Sequence, residues 1–425
     1  MPWFGLIRPP PPPPPPPSPL PSPVEQYVPY VVIVTLAVLL IRSGHISFGQ
    51  TWAARRQSLA VFTGSLQFLL PFMGASALAL LWALTHSRAT ASVAAVYLMY
   101  AFVVDGSSTS GAHASPWLRS LRWWRDYADY FPLTLIKTAA LDPSKTYVFA
   151  YHPHGIISVG AFGSFAADGA RVLDLTRPAT DGPDPRRGFT QLFPGISPRL
   201  VTLPINMAVP IAREYPLMLG CVNSNTAAFR RVLGRGAGSA LAVVVGGAEE
   251  STMTEEHAMG RLVLDKRKGF VREAIKAGAH LVPVLAFGEN DLYHTVQLHP
   301  KSSRRDALIV SAQQLIKRVA GFTVPLFRGR SILFKDVGLM PHRVPINVVC
   351  GAPIAPPHLD AERRKSFSPK YDRSKDGAPL NDDARLVDAQ HHVYVQALLA
   401  LYEAHKDAEW NQPGLEREES LKIAK

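Results

Sequence analysis

Three uncharged apolar runs mark the first quarter of the chain: Tyr27–Ile41, Ser58–Leu84 and Ala89–Val104. Only Thr85-His86-Ser87-Arg88 separate the second run from the third. A helix crossing a bilayer core takes about 20 apolar residues. The pair therefore reads as two antiparallel apolar helices, a membrane-embedded hairpin. Tyr27–Ile41 is short for a span and stands as an interfacial helix, a signal anchor or an additional span. Arg42, Arg55 and Arg56 precede the hairpin, and Arg119, Arg122, Arg125 and Lys137 follow it. Positive charge marks the cytosolic side, so both flanks are expected there. No basic segment precedes the first run, so no cleaved secretory signal is expected.

From about Asp105 the pattern becomes globular. Tyr147-Val148-Phe149-Ala150-Tyr151 is a short run of β-branched and aromatic residues, the composition of a buried strand. Ser239–Val245, His280–Phe287 and Asn347–Cys350 read the same way, with Leu200–Leu203 and Val209–Ile211 as shorter candidates. Helices are predicted over Ile156–Ala167, Ala227–Leu233, Lys268–Ala277 and Val387–His405, the third stopped by Gly278 and the last burying Val393, Ala397, Leu401 and Tyr402. Strands alternating with helices predict an α/β domain. The expected architecture is a mixed sheet with flanking helices, preceded by the hairpin. Residues 1–26 form a proline-rich tail, 27–105 the membrane region, 106–410 the catalytic domain with a polar insertion at 361–385, and 411–425 a C-terminal tail. Trp117, Trp123, Trp124, Tyr127 and Tyr130 among arginines suggest a membrane-interface segment.

Composition narrows the partners. Charged residues make up only 18% of the chain, which favours membrane contact, and the net charge is +12. A basic balance suits membrane headgroups or a phosphorylated co-substrate. No zinc-finger or RNA-binding spacing is present, so nucleic acid is not an expected partner. Two cysteines, Cys221 and Cys350, make no disulfide framework.

The candidate chemistry begins where the YVFAY run meets His152-Pro153-His154-Gly155. Pro153 removes a backbone donor and Gly155 permits a sharp turn, so two imidazoles are held at a strand end. Imidazole has an unperturbed pKa of about 6.5, suited to moving protons near neutral pH. The blander alternative is a polar turn with incidental histidines. Two more buried strands end in carboxylates, at Gly246-Gly247-Ala248-Glu249-Glu250 and at Gly288-Glu289-Asn290. A carboxylate near a histidine can fix its tautomer, although helix capping would also explain either one. Arg267-Lys268-Gly269-Phe270-Val271-Arg272 is a basic helix start of the kind that receives phosphate. No G-x-S-x-G elbow is present, which disfavours a serine hydrolase.

The blocks that follow one another here resemble the type-2 diacylglycerol acyltransferase family, with its monoacylglycerol and wax-ester relatives. They are Tyr130-Phe131-Pro132, the HPHG block, Phe193-Pro194-Gly195, Arg213-Glu214-Tyr215, Gly246–Glu250, Arg267–Glu289, Gly351-Ala352-Pro353-Ile354 and YVQALLALYEAHK. The resemblance implies acyl transfer from acyl-CoA, a co-substrate, to diacylglycerol, with no resident cofactor or metal. It implies His154 as the base, His152 and Glu250 in support, and the endoplasmic reticulum membrane and lipid droplets as location. Substrate contacts would come from Tyr130, Phe131, Pro132, Gly155, Asn206, Arg213, Gly246, Gly247, Arg267, Lys268, Gly269, Phe270, Arg272, Glu289 and Asn290. Homo-oligomerisation is a further expectation. The chain departs from the family at Ser224-Asn225, where many members have Ser-Arg. The His-x-x-x-x-Asp spacing of glycerolipid acyltransferases is also absent, since Ile157 and Val159 stand five places after the histidines.

Two other classes fit part of the pattern. His-x-His is also a metal-ligand spacing, for which His257, His280 or His294 would have to supply further ligands. A non-catalytic lipid-droplet protein would use only the apolar hairpin.

Overall fold

The YVFAYH strand lies inside a mixed sheet of eight strands, with all six of its residues buried. The computed structural model describes residues 51–66, 70–178, 184–256, 259, 261–296, 298, 303–320, 325–332, 334, 335, 337–367, 381–408 and 421–424. The proline run, Tyr27–Ile41 and the middle of the predicted 361–385 insertion lie outside them. Residues 49–425 form one compact unit. In chain order the strands are β1 (Thr134–Lys137), β2 (Tyr147–His152), β3 (Arg171–Asp174), β4 (Ser197–Thr202), β5 (Val222–Asn223) and β6 (Ser239–Val244). Then come β7 (Arg261–Val263), β8 (His280–Phe287), β9 (His294–Thr295), β10 (Phe327–Arg328), β11 (Asn347–Cys350) and β12 (Lys422–Ala424). The large sheet has the order β3-β1-β11-β8-β2-β6-β4-β5, and β9–β10 and β7–β12 form small separate pairs.

Neighbours are parallel within β3-β1-β11 and within β8-β2-β6-β4-β5, and the two blocks meet antiparallel at β11–β8. This topology decides what gathers at one edge. The C-terminal ends of β2, β6 and β8 share it with the segments that enter β1 and β11. HPHG, Gly246–Glu250, Glu289-Asn290, Tyr130-Phe131-Pro132 and Arg343–Ile346 therefore all lie at the same end of the sheet. Side chains alternate across the faces, as strand geometry requires. Tyr147, Phe149 and Tyr151 join one core cluster, while Val148 and Ala150 join the other.

The strands at β2, β6, β8 and β11 follow the sequence expectation, and so do the helices Thr226–Leu233 and Gly269–Ala277. Val209–Ile211 does not form a strand. Pro204 opens a helical turn, Pro204–Ala208, and Pro210 removes the donor a strand would need. The last helix, Asp382–His405, buries Val387, His391, Tyr394, Leu398 and Leu401, whereas Val393 is exposed.

The predicted membrane hairpin requires correction. In place of one Ser58–Leu84 helix the structure has Trp52–Leu66 and Leu70–His86, with Pro71 in the first turn of the second, where a missing N–H costs least. Among the described residues no helix is long and apolar enough to cross a membrane. Trp52–Leu66 is docked on the globular unit. Ala60 and Val61 are fully buried, Trp123 Nε1 donates to Thr63 Oγ1 at 3.1 Å, and Arg343 binds Ala54 O and Gln57 Oε1. The predicted polar turn is confirmed at Ser87, which forms a reciprocal cap with Thr90 at the start of Arg88–Met99. Leu78, Leu81, Trp82, Val93, Val96 and Met99 on these later helices are exposed, as is Val103 in the Tyr100–Val104 turns that follow. The aromatic segment before β1 is mostly core: Trp124, Tyr127 and Tyr130 are buried around Phe131 and Phe162, and only Trp117 stands out.

Candidate active site

His154 is the partly exposed member of the histidine pair. Its Nδ1 lies 3.0 Å from Gly155 O. A carbonyl oxygen only accepts, so Nδ1 carries the hydrogen and Nε2 carries the lone pair. Nε2 has no hydrogen-bond partner among the described residues. Burial lowers the imidazole pKa below its ordinary value, and the bond to Gly155 opposes that shift. The result is a neutral imidazole whose outer nitrogen can accept a proton.

His152 has a different environment. It is fully buried and its Nε2 lies 3.0 Å from Tyr394 Oη. That hydroxyl donates to Ala150 O at 3.1 Å, so its oxygen accepts from His152 Nε2–H. Burial, with His391 nearby, holds the His152 pKa down at about 3, which keeps the ring neutral. Phe270 and the last helix cover this side, with the Phe270 and Tyr394 rings 5.1 Å apart.

Two carboxylates clamp the turn from the neighbouring strands. Glu250, just past β6, accepts from His154 N–H at 2.5 Å and from Val263 N–H at 2.7 Å. The expected support of the imidazole by Glu250 is thus made through the main chain, and Gly155 O sets the tautomer instead. Gly246 allows this fold-back, because a Cβ there would lie 2.3 Å from the Glu250 carboxyl carbon. Glu289, just past β8, is fully enclosed. It accepts from Val159 N–H at 2.7 Å, Gly160 N–H at 2.8 Å and Tyr151 O–H at 2.6 Å. Burial pushes its pKa up to about 7, against the lowering effect of these three donors. Gly155 has φ +57°, and an added Cβ would meet Glu289 Cγ at 2.8 Å. Both its conformation and the close approach require glycine.

The remaining predicted residues divide. Tyr130 and Phe131 are core residues at the same sheet edge, and Tyr130 O–H donates to Pro341 O at 2.7 Å. Pro132 leads directly into β1. Asn206, past β4, binds Thr202 Oγ1 at 2.7 Å. Asn290 is buried beside Glu289, and Gly247 follows Gly246 in the turn after β6. Arg213 is buried in an ion pair with Asp105 at 2.8 Å and also binds Ala101 O, which ties it to the end of the apolar helix. The basic helix start is internally paired: Arg267 with Glu249 at 3.1 Å, Lys268 with Asp388, and Arg272 with Glu273 at 3.1 Å. Gly269 is exposed, but Phe270 is core. The cations of this segment thus each face a carboxylate in this arrangement.

A metal site built on His-x-His finds little support in the register. His280 pairs with Tyr147 at the far end of β2, about 17 Å of strand from His152 at roughly 3.3 Å per residue. His294 is bound to Glu256 at 3.0 Å, and His257 lies outside the described residues. No group of three or more His, Cys, Asp or Glu among the described residues could hold a metal ion.

A family profile described as "Diacylglycerol acyltransferase" matches residues 83–367. The chain belongs to this family. It is 37% identical to "Diacylglycerol O-acyltransferase 2A" of Umbelopsis ramanniana over 313 residues, covering 73% of this chain and 77% of the relative. It is 37% identical to "Diacylglycerol O-acyltransferase 1" of Schizosaccharomyces pombe over 351 residues, covering 83% and 88%. It is also 33% identical to "2-acylglycerol O-acyltransferase 1" of Bos taurus over 311 residues, covering 73% and 82%. The matched segment contains HPHG, Glu250 and Glu289. Tyr394, which touches His152, lies beyond it. Sequence reasoning about this diacylglycerol acyltransferase family member missed Tyr394 and Tyr151. The signals for Tyr394 were its place on an amphipathic helix and its position at the head of the YVQALLALYEAHK block.

Proposed function

We propose that this family member transfers a fatty acyl group from acyl-CoA to the free hydroxyl of diacylglycerol, giving triacylglycerol and CoA. His154 carries the reading: its Nδ1–H is committed to Gly155 O, which leaves a neutral Nε2 at a partly open sheet edge. The acceptor hydroxyl gives its proton to Nε2 as its oxygen attacks the thioester carbonyl carbon. The tetrahedral intermediate then expels the CoA thiolate, and the imidazolium returns the proton to the sulfur. General base catalysis of this kind contributes about 10²- to 10⁴-fold. His152 stays neutral and supports the turn from behind.

The outward apolar residues of Leu70–His86 and Arg88–Met99 suit a lipid surface, where both the acceptor and the product reside. In this reading residues 106–410 form the catalytic domain, facing the cytosol at the endoplasmic reticulum membrane and lipid droplets. Depressing the His154 pKa keeps the base form populated above the folded-state value. Activity is therefore expected to fall as pH drops through it.

Microsomes carrying the protein, given labelled acyl-CoA and diacylglycerol, should form triacylglycerol, and His154→Ala should lose at least about a hundredfold. Equal product from both would remove His154 from the chemistry, and no product from either would remove the function. Monoacylglycerol and a long-chain alcohol, tested in parallel, decide the acceptor. The protein should resist extraction from the microsomes by alkaline carbonate, and its release would refute the membrane assignment.

A further inference from the structure

At the same sheet edge, beside the entry to β1, two arginines flank one phenol. The Arg343 guanidinium carbon lies 4.1 Å from the Tyr130 ring centroid, and that of Arg330 lies 5.9 Å from it. Arg330 is buried at 7% exposure, and its Nε has no hydrogen-bond partner. Its backbone is pinned to Met340 by bonds of 2.7 and 2.8 Å, so the side chain cannot swing out with its loop. Arg343 is partly exposed and binds only neutral oxygens: Gln57 Oε1 at 2.7 Å, Ala54 O at 2.8 Å and Ser58 Oγ at 3.2 Å. Neither guanidinium is paired with a carboxylate among the described residues.

Two neighbouring cations without a counter-ion are costly. Arg330 lies at the buried end of the pair, and Arg343 beside it carries the same charge. The Arg343 pKa is lowered, first by burial and then by Arg330. A purely structural role would be served by a neutral side chain without that cost, and the attraction of one aromatic face offsets only a small part of it. Among the described residues no carboxylate meets these two charges, and an anionic ligand would. The cluster also connects to the catalytic edge through packed groups. Tyr293, directly after Glu289–Leu292, meets Phe327 edge to face with ring centroids 4.8 Å apart and donates to Leu339 O at 3.3 Å, bracketing the Arg330 segment. The Arg267–Arg272 cations, by contrast, are already matched by carboxylates.

We propose that Arg330 and Arg343 form the binding site for the 3′-phosphate of the acyl-CoA co-substrate. This rests on the acyl-CoA reading above. A phosphomonoester dianion brings two charges to two guanidiniums, whose donors suit phosphate oxygens. It would enter from the open Arg343 side, with Arg330 as the inner contact.

The test is a binding cycle on the full-length protein in detergent, using CoA and dephospho-CoA, which lacks the 3′-phosphate. Wild type should bind CoA at least about tenfold more tightly, a difference of about 1.4 kcal/mol. Arg330→Gln should bind both alike and should raise KM for acyl-CoA about tenfold, with Arg330→Lys in between. Its unfolding temperature should equal or exceed wild type, because an uncompensated charge has been removed. Equal binding of CoA and dephospho-CoA by wild type would overturn the proposal without any mutant. Retained discrimination in Arg330→Gln would also overturn it. So would a variant that melts lower and loses both ligands alike, which would mark Arg330 as structural. If KM rises for diacylglycerol and not for acyl-CoA, the two arginines serve the acceptor and the proposal falls. Wild type that transfers acyl groups but fails to discriminate refutes only this inference, whereas wild type with no transfer refutes the function.

Discussion

Replacing Glu250 with Gln separates the two ways a carboxylate can serve His154. Its two oxygens accept the backbone N–H groups of His154 and Val263 at 2.5 and 2.7 Å. An amide offers one acceptor oxygen and one NH2, so one of those buried N–H groups must face another donor. Losing one hydrogen bond to an ionised acceptor costs about 1.5–3 kcal/mol. Unfolding entropy near 2.1 cal/mol/K per residue, over residues 49–425, converts this to a fall of roughly 2–4 °C in Tm. Because the lost bond anchors the HPHG main chain, the imidazole should also be displaced, and a 1 Å misplacement costs about 10²-fold in rate. The assay is triacylglycerol formation by Glu250→Gln against pH, beside thermal unfolding of the purified protein. The expected result is lower kcat with an unshifted acid limb, since the His154 imidazole is bonded to Gly155 O and not to Glu250. An acid limb moved by a full pH unit would refute the reasoning and place the carboxylate on the ring. Wild-type Tm and rate would refute the clamp.

Two further outcomes follow from the second histidine. His152 has a pKa near 3 when folded and about 6.5 when unfolded, so below pH 6.5 the unfolded state binds the extra proton. Its contribution is fully present above pH 6.5 and is lost as pH falls towards 3, by about 2 kcal/mol at pH 5. Urea unfolding at pH 7.5 and 5 should show this loss, smaller in His152→Gln, and an identical slope in both would refute it. Tyr394→Phe strands the buried His152 Nε2–H and should cost about 1–3 kcal/mol of stability. Calorimetry showing wild-type stability would mean that this hydrogen bond contributes nothing.

Much of the sheet was legible because its strands are buried on both faces and end at Gly or Pro. Pro153 and Gly155 mark the end of β2 as plainly as the apolar run marks its start. The carboxylates past β6 and β8 could be found from the same punctuation, but not what they would touch. That depends on the β6-β2-β8 order, which no local pattern encodes. Hydropathy misjudged Ser58–Leu84 because an apolar run looks alike whether its partner is lipid or Trp123 and Tyr127. On the last helix Leu401 and Tyr402 are buried as expected, but one and two turns earlier Leu398 and Tyr394 take the buried places expected of Ala397 and Val393. Val393 and Tyr394 are both plausible core residues, and the polar partners His152 and Ala150 O selected Tyr394. Arg330 carries no sequence signal at all, since only the fold buries it.

The covering of His152 by Tyr394 also bears on the order of events during synthesis. A nascent chain ending near residue 380 already contains HPHG, Glu250 and Glu289. It lacks the helix that supplies the Tyr394 hydroxyl, so His152 there is an open, hydrated imidazole free to take up a proton. The mature arrangement of the pair is reached only when Asp382–His405 docks. The helix that completes this edge comes long after HPHG in the chain, so the histidine pair cannot be finished while HPHG and its neighbouring strands alone have folded.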